Sequence, residues 1–186
     1  LEHLSGYDGA GPVRVGNDAY QQRQHDVWGA LLDSVYLHTR SRDSLDERVW
    51  PILKRQVEMA IENWRKPDRG IWEVRGEPKH FTSSKVFCWA ACDRGSRLAE
   101  LREDWEYVER WRSAAEEIHA DVCEHGVDDR GVFVQHYETT ALDAALLLTP
   151  LLRFLPPDDE RIRNTVFAIG EELTEHGLIL RYRTDE

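Results

Sequence analysis

The sequence predicts an all-α fold, and three observations lead to that prediction. Six long stretches place apolar residues at helical spacing between recognisable start and stop signals. Two of these stretches are apolar on nearly every side, which is typical of enclosed helices. No Pro-rich or Ser-rich linker divides the 186 residues, so we expect one all-α domain, or part of one, over residues 1–186. Pairs of helices joined by long loops form either a solenoid or a closed toroid, and spacing alone leaves both open.

The first two predicted helices cover residues 17–39 and 44–65. The first carries Val27 and Leu31 on one face, as an amphipathic helix does. The second opens at Ser44 with the sequence Ser-Leu-Asp-Glu, the pattern of a capping box before an apolar run. Each is longer than four turns, so we expect both to be main elements of the fold.

The third and fourth predicted helices cover residues 82–101 and 104–124. The third follows a Thr-Ser-Ser cluster and is nearly apolar all round over residues 86–92, which predicts an inner, enclosed position. The fourth is amphipathic and stops at Gly126, a common residue just past a helix end. Inner and outer helices are therefore expected to alternate.

The fifth predicted helix, residues 140–154, is again almost wholly apolar, and the sixth, residues 158–176, is amphipathic and stops at Gly177. Two shorter stretches have the composition of extended chain. They are residues 131–138, between the fourth and fifth helices, and residues 178–183.

Charge argues against two classes of partner. Lys and Arg total 24 against 35 Asp and Glu, giving a formal net charge of -11, which repels nucleic-acid phosphates and anionic membrane surfaces. No run approaches the roughly 18 apolar residues that span a membrane. We therefore expect neither a nucleic-acid nor a membrane partner, and the sequence carries no signal for a particular oligomeric state.

The cysteines indicate a reducing compartment. Cys88, Cys92 and Cys123 are an odd number in a chain of this size, which argues against a disulfide framework and predicts a cytoplasmic protein. Cys88 and Cys92 are four residues apart in the apolar third helix, where a free cysteine usually packs as a small hydrophobe.

The loop GIWEVRG, residues 70–76, contains the sharpest candidate for chemistry. Glu73 directly follows Trp72, and a carboxyl shielded by an indole has a raised pKa, as a general acid needs near neutral pH. Arg75 would lower that pKa if it paired with Glu73. The alternative is that Trp72 plugs the core while Glu73 is solvated, which is the commoner outcome for an arbitrary Trp-Glu loop.

Other polar residues are weaker candidates. His119, Cys123 and His125 lie at the end of the fourth helix, but no second cluster supplies a fourth ligand at zinc spacing, so we expect no metal. His136 and Tyr137 either face a pocket or lie in a solvated loop, and the residues leave both open.

Several long motifs together resemble one family. The stretch PDRGIWEVRGEPKHFTSSKVFCWAACDRG, residues 67–95, is similar to the catalytic-acid region of the glucoamylase-type inverting glycoside hydrolases, family fifteen. That family also includes glucodextranases and bacterial trehalases. Residues 11–36, 133–162 and 173–186 resemble its bacterial branch in the same order. The resemblance covers essentially the whole chain.

The resemblance implies an (α/α)6 barrel of which this chain supplies about half, and an α-glucoside as substrate. Glu73 matches the general acid, Ile71 and Trp72 match residues that shape the sugar subsite, Ile71 through its carbonyl, and Arg181 matches an arginine that holds sugar hydroxyls. Lys85, just after the acid loop, is a further candidate for binding a sugar hydroxyl, or else a plain helix-start side chain. Two carboxyl groups suffice for the chemistry, so no cofactor is implied.

The resemblance also implies what is outside this chain. The general base of the family lies downstream of the region that matches Arg181, and an Arg-Asp sugar clamp lies upstream of Leu1. We therefore expect the acid here without the base, and no activity from residues 1–186 alone. The alternative function is a non-catalytic helical-repeat module that binds sugar or protein through the same loops.

Overall fold

The computed structural model describes residues 1–42 and 45–184. Its helices pack around one hydrophobic core cluster. Within these residues the α-helices are α1 (Asp26–Arg42), α2 (Trp50–Asn63), α3 (Thr82–Leu101), α4 (Trp105–His125) and α5 (Glu160–Glu172). Three 3-10 helices, Tyr7–Gly9, Asp18–Gln21 and Ala144–Leu148, and the strands β1 (Thr174–Glu175) and β2 (Leu178–Ile179) complete the described elements.

Helix α3 is the centre of the fold. Sixteen of its 20 residues are buried, and it packs against α1, α2 and α4. Gly29 of α1 permits a close approach to α3, because a Cβ there would lie 2.0 Å from the carbonyl oxygen of Phe87. The predicted inner position of this helix is confirmed, as is the burial of Cys88 and Cys92.

A buried arginine ties three parts of the chain together. Arg94 of α3 donates from Nε to Asp33 Oδ1 of α1 at 2.7 Å and from its guanidinium to the carbonyl oxygen of Leu152 at 2.6 Å. It also pairs with its neighbour Asp93 at 2.5 Å. Because the Arg94 side chain is only 7% exposed, these partners replace the water that its charge would otherwise need.

The first two helices begin later than the sequence predicts. Asn17 does cap a helix, by accepting from the Ala19 amide at 2.9 Å, but that helix is the 3-10 turn Asp18–Gln21, and α1 starts only at Asp26. Helix α2 starts at Trp50 with Pro51 in its first turn, where a missing N–H costs nothing. The capping box predicted at Ser44 lies outside the described residues.

The fifth predicted helix is wrong. Residues 140–154 contain only the 3-10 helix Ala144–Leu148, followed by turns. Pro150 lacks an N–H and would clash with a carbonyl one turn earlier, so it opposes a continuous α-helix. The apolar composition has another cause, because Leu142, Leu146 and Phe154 are buried in the core in irregular chain.

The end of the sixth predicted helix is also different. Helix α5 ends at Glu172, and Gly177 lies in a hairpin between β1 and β2, which pair antiparallel. His176 and Gly177 have φ values of 51° and 81°, as a type I′ turn requires. The stretch 131–138, predicted to be extended, contains bends and turns and makes isolated bridges, one of which joins His136 to Phe81.

Residues 1–42 and 45–184 contain no helix that is both long and apolar enough to cross a membrane.

Candidate active site

The loop that carries Glu73 joins α2 to α3 and is a tight turn. Gly70 has a φ of 66° and packs on the Phe81 ring, which a Cβ at Gly70 would meet at 3.1 Å. The Glu73 amide donates to the Gly70 carbonyl at 3.2 Å, and the Val74 amide donates to the Arg69 carbonyl at 3.1 Å. Glu73 itself has a φ of 55°, in the left-handed region that few non-glycine residues adopt.

A buried carboxylate braces the base of this loop. Asp68, only 2% exposed, accepts from the His25 amide at 3.0 Å and from Ser84 Oγ at 2.8 Å. Backbone bonds in both directions join Asp68 to Lys79 on the far side of the loop. Burial raises the pKa of Asp68, and these hydrogen bonds oppose that rise. The loop is thus attached at its base to α3 and to the chain before α1.

Trp72 is held on two sides. Its indole Nε1 donates to Asp143 Oδ1 at 2.8 Å, and the guanidinium carbon of Arg181 lies 5.7 Å from the centre of its ring, a cation–π distance. The structure therefore brings together Trp72, Arg181 and, by chain adjacency, Glu73. Ile71, half-buried, packs against the hydrophobic core beneath them.

The environment of Glu73 differs from the one that the sequence predicts. Its side chain is exposed, and Asn17 Nδ2 lies 3.4 Å from its Oε2. Trp72 therefore does not shield this carboxyl as expected, because the Glu73 side chain remains exposed beside it. Within the described residues no ion pair joins Glu73 to Arg75. Any shield for this carboxyl must come from chain or substrate other than the described residues.

Lys85 lies elsewhere than the predicted sugar subsite. It is 2% exposed, and its Nζ donates to the carbonyl oxygens of Trp64 and Lys66, the latter at 3.3 Å. These carbonyls follow the end of α2, where backbone acceptors lack helical partners. Burial lowers the pKa of Lys85. As a correction to the expectation from sequence, Lys85 satisfies the end of α2 instead of joining Trp72 and Arg181.

The other polar candidates are also accounted for by internal contacts. Tyr137 donates to Asp121 Oδ2 at 2.6 Å, and His125 lies 3.5 Å from Asp121 Oδ1. His119 Nδ1 is 3.9 Å from Cys123 Sγ, whereas His125 makes its contacts with Asp121. Across residues 1–42 and 45–184, no three His, Cys, Asp or Glu side chains are grouped so as to hold a metal ion.

Sequence reasoning missed three site residues: Asn17, Asp68 and Asp143. A signal existed for Asp143, because it is a lone carboxylate in the apolar run LDAALLL, and a buried charge needs partners. Its partner Trp72 lies 71 positions away, a pairing that no local pattern reveals. Asn17 and Asp68 lie in turn sequences in which Asn and Asp are common for purely local reasons.

Comparison with known proteins adds family and fold. The family profile of the glycosyl hydrolases family 15 matches residues 1–186. Trehalases from Mycobacterium tuberculosis and Mycolicibacterium smegmatis are 66% and 64% identical over the whole chain, which spans 27% and 28% of those proteins. "Trehalase 2" of Sulfolobus acidocaldarius is 38% identical over the whole chain, which spans 33% of it. The chain thus spans about a quarter to a third of these relatives.

Solved structures of glycosidases share the fold of this chain. A glycosidase in complex with glucose superposes with a TM-score of 0.80 at 25% identity, over 92% of this chain and 46% of that one. A bacterial glucoamylase complexed with acarbose, at 12% identity and a TM-score of 0.67, covers 82% of this chain and 26% of its own and shows the fold alone. The predicted (α/α)6 architecture is confirmed, with this chain corresponding to about half of the glucose-bound glycosidase. The chain belongs to the glycosyl hydrolases family 15.

Proposed function

We propose that this chain is the part of an α-glucoside hydrolase that carries the general acid, Glu73. The observation that carries the proposal is the grouping of Trp72 and Arg181 beside Glu73 at one loop cluster. An aromatic face and a planar guanidinium fork suit a sugar ring and its hydroxyls. An exposed carboxyl next to them is accessible to a glycosidic oxygen.

The proposed reaction is hydrolysis with inversion. Glu73 protonates the glycosidic oxygen as the bond to the anomeric carbon breaks, and a second carboxylate activates water on the opposite face of the ring. In inverting enzymes the two carboxyl groups lie about 6.5–9.5 Å apart. We place the second carboxylate, and the clamp for the outer hydroxyls, outside residues 1–186. The reaction needs no cofactor.

Trehalose is the first substrate to test. The relatives that are 66% and 64% identical are named trehalases, whereas an isomaltose glucohydrolase from Kribbella flavida is 26% identical. Maltose and isomaltose therefore belong in the same assay.

We also propose that the enzyme is cytoplasmic. Cys88, Cys92 and Cys123 are all free thiols, which suits a reducing compartment.

The test is proton NMR of the full-length protein mixed in turn with trehalose, maltose and isomaltose, alongside its Glu73→Gln variant. Inversion at an α-linked glucose releases that glucose as the β-anomer, and trehalose releases its second glucose as the α-anomer in the same step. We expect early β-glucose from at least one sugar, and a loss of about 10²–10⁴-fold in kcat in the variant, because the proton donor is gone.

Glu77→Gln is the matched control, since Glu77 is exposed and lies four residues further along the same connection. It should keep wild-type turnover, and both variants should have the melting temperature of the wild type. Near-wild-type turnover by Glu73→Gln would remove the general acid from this position. A folded wild type that releases no glucose from any of the sugars would favour a sugar-binding or protein-binding module instead.

A further inference from the structure

The turn at Asp143 contacts both Trp72, which directly precedes the proposed acid, and Arg181, whose guanidinium lies over the Trp72 ring. Asp143 Oδ1 accepts from the Trp72 indole at 2.8 Å and from the amide of Ala145 at 2.7 Å. The next amide, that of Ala144, donates to the backbone carbonyl of Arg181 at 2.8 Å. One turn of three residues therefore fixes the Trp72 side chain and the Arg181 main chain together.

This turn is anchored in the core. Asp143 is 1% exposed, and its neighbours Leu142 and Ala145 are each 4% exposed. Its second oxygen, Oδ2, lies 3.5 Å from Gln135 Nε2. Well-packed surroundings restrict side-chain motion, so the acceptor for the Trp72 indole is held in place before any ligand arrives.

Capping alone does not account for this carboxylate. Asp159, at the start of α5, accepts from the amide two residues on at 2.9 Å, just as Asp143 does at its own 3-10 helix. Asp159, however, forms an ion pair with the half-buried Arg161 at 2.8 Å. Asp143 is buried, and its Oδ1, which accepts from the Ala145 amide, also accepts from the distant Trp72 indole. Burial raises the pKa of Asp143, a cost that a surface cap avoids.

We propose that Asp143 is a positioning residue for the sugar subsite, acting through Trp72. Its Oδ1 sets the angle of the indole, and the Ala144 amide sets the main chain of Arg181, so that both present fixed faces beside Glu73. This inference rests on the proposed function. Fixed orientation of binding groups lowers the barrier of the chemical step more than it tightens substrate binding.

Asp143→Ser separates positioning from capping. Serine is a good helix cap, but its shorter side chain cannot also reach the Trp72 indole. In the full-length protein we expect kcat to fall about 10- to 100-fold with a smaller change in KM, since slight misplacement near the reacting atoms has costs of that order. Asp143→Asn keeps an oxygen acceptor and should restore most of the activity.

Two further variants make the test specific. In a Trp72→Phe background, which has no indole N–H, Asp143→Ser should lower kcat by less than about twofold, because the interaction is already absent. Asp159→Ser, the matched capping control, should leave kcat and KM unchanged. NMR of ¹⁵N-labelled tryptophan should show the Trp72 indole proton slow to exchange in the wild type and fast in Asp143→Ser.

The outcomes distinguish the two proposals. If the wild type hydrolyses α-glucosides but the losses from Asp143→Ser and Trp72→Phe multiply, or the wild-type indole exchanges as freely as in Asp143→Ser, then the positioning role is overturned and the proposed function survives. If the wild type hydrolyses none of the α-glucosides, the proposed function fails, and the positioning role fails with it.

Discussion

At the scale of single residues, neighbours in sequence have opposite environments. Trp72 is half-buried and committed to Asp143 and Arg181, whereas Glu73 is exposed. Sequence reasoning singles out the Trp-Glu pair as the candidate for chemistry, and the family resemblance adds Arg181. It misjudges the local physics, because a left-handed φ of 55° at Glu73 and the distant partner of Trp72 are properties of the folded chain only.

Arg181 provides the first prediction at this scale. Arg181→Ala should raise KM and lower kcat, together reducing kcat/KM by about 10-fold or more, because the guanidinium fork over Trp72 is lost. Steady-state kinetics with trehalose, maltose and isomaltose would measure this. Arg163→Ala, at an exposed arginine of α5, is the control and should behave as the wild type; equal kinetics for both variants would exclude Arg181 from the site.

His25 provides a prediction of pH dependence. It is 2% exposed, with Nε2 buried and without a hydrogen-bond partner in the described chain. Burial, with a contribution from Lys85, lowers its pKa from 6.5 to about 4. Between pH 6.5 and pH 4 His25 is protonated in the unfolded chain and neutral in the folded protein. The free energy of unfolding therefore decreases as the pH falls, by about 2 kcal/mol from pH 7 to pH 5.

The check is urea denaturation at pH 7 and pH 5. His25→Phe, which keeps an aromatic ring against Trp28, should lose about that much less stability over the interval than the wild type. Asp26 and Asp68, whose pKa values are raised by burial, titrate in both proteins, so the difference isolates His25. Replacing the exposed His38 by Phe is the control; an identical pH slope in wild type and His25→Phe would contradict the prediction.

At the scale of elements, predictions from periodicity succeed where polar residues delimit a helix. Helix α3 is found at 82–101 as predicted, and α4 within a residue at each end. The prediction fails at residues 140–154, because an apolar run has the same composition whether it is helical or irregular and buried. Asp143 and Pro150 were the local signals against a helix there.

The contact between α1 and α3 gives a prediction for an element. Gly29→Ala should destabilise the fold by about 3 kcal/mol or more, because the new Cβ would lie 2.0 Å from the Phe87 carbonyl oxygen, and a backbone cannot yield as a side chain does. Gly170→Ala is the matched control, since α5 has open space at that Cβ. It should stabilise by about 0.5–1 kcal/mol. Thermal melting of both variants would measure the contrast, and similar shifts would refute it.

At the scale of the whole molecule, Arg94 links three segments that are far apart in sequence. It joins α1, α3 and the irregular chain at Leu152, nine residues after the turn that holds Trp72. Helices and the site-bearing loops are therefore mechanically connected through one buried charge. The resemblance to an (α/α)6 barrel implied the architecture, but it gave no indication of this tie.

Arg94→Met should lower the free energy of unfolding by about 3–5 kcal/mol, because Asp33 and Asp93 would lose their buried partner and the Leu152 carbonyl its donor. Arg97→Met is the control. Arg97 pairs with the same Asp93, but its side chain is 54% exposed, so its loss should cost no more than about 1 kcal/mol.

Chemical denaturation measures both values. Backbone amide hydrogen exchange over residues 143–152 should also be faster than in the wild type in Arg94→Met, but not in Arg97→Met. Equal destabilisation by the two variants would mean that Arg94 does not act as a tie.

Because Glu73 has a left-handed backbone conformation, selection for stability and selection for activity favour different residues at position 73. A non-glycine residue in this conformation costs about 1–2 kcal/mol, whereas glycine adopts it freely and asparagine tolerates it. A library of variants sorted only for thermal resistance would therefore drift toward glycine or asparagine here and discard the carboxyl without any sign of misfolding. Retaining glutamate requires a screen that scores sugar release, and a thermostable relative that carries glycine at this place would be a folded protein without the carboxyl that we propose as the proton donor.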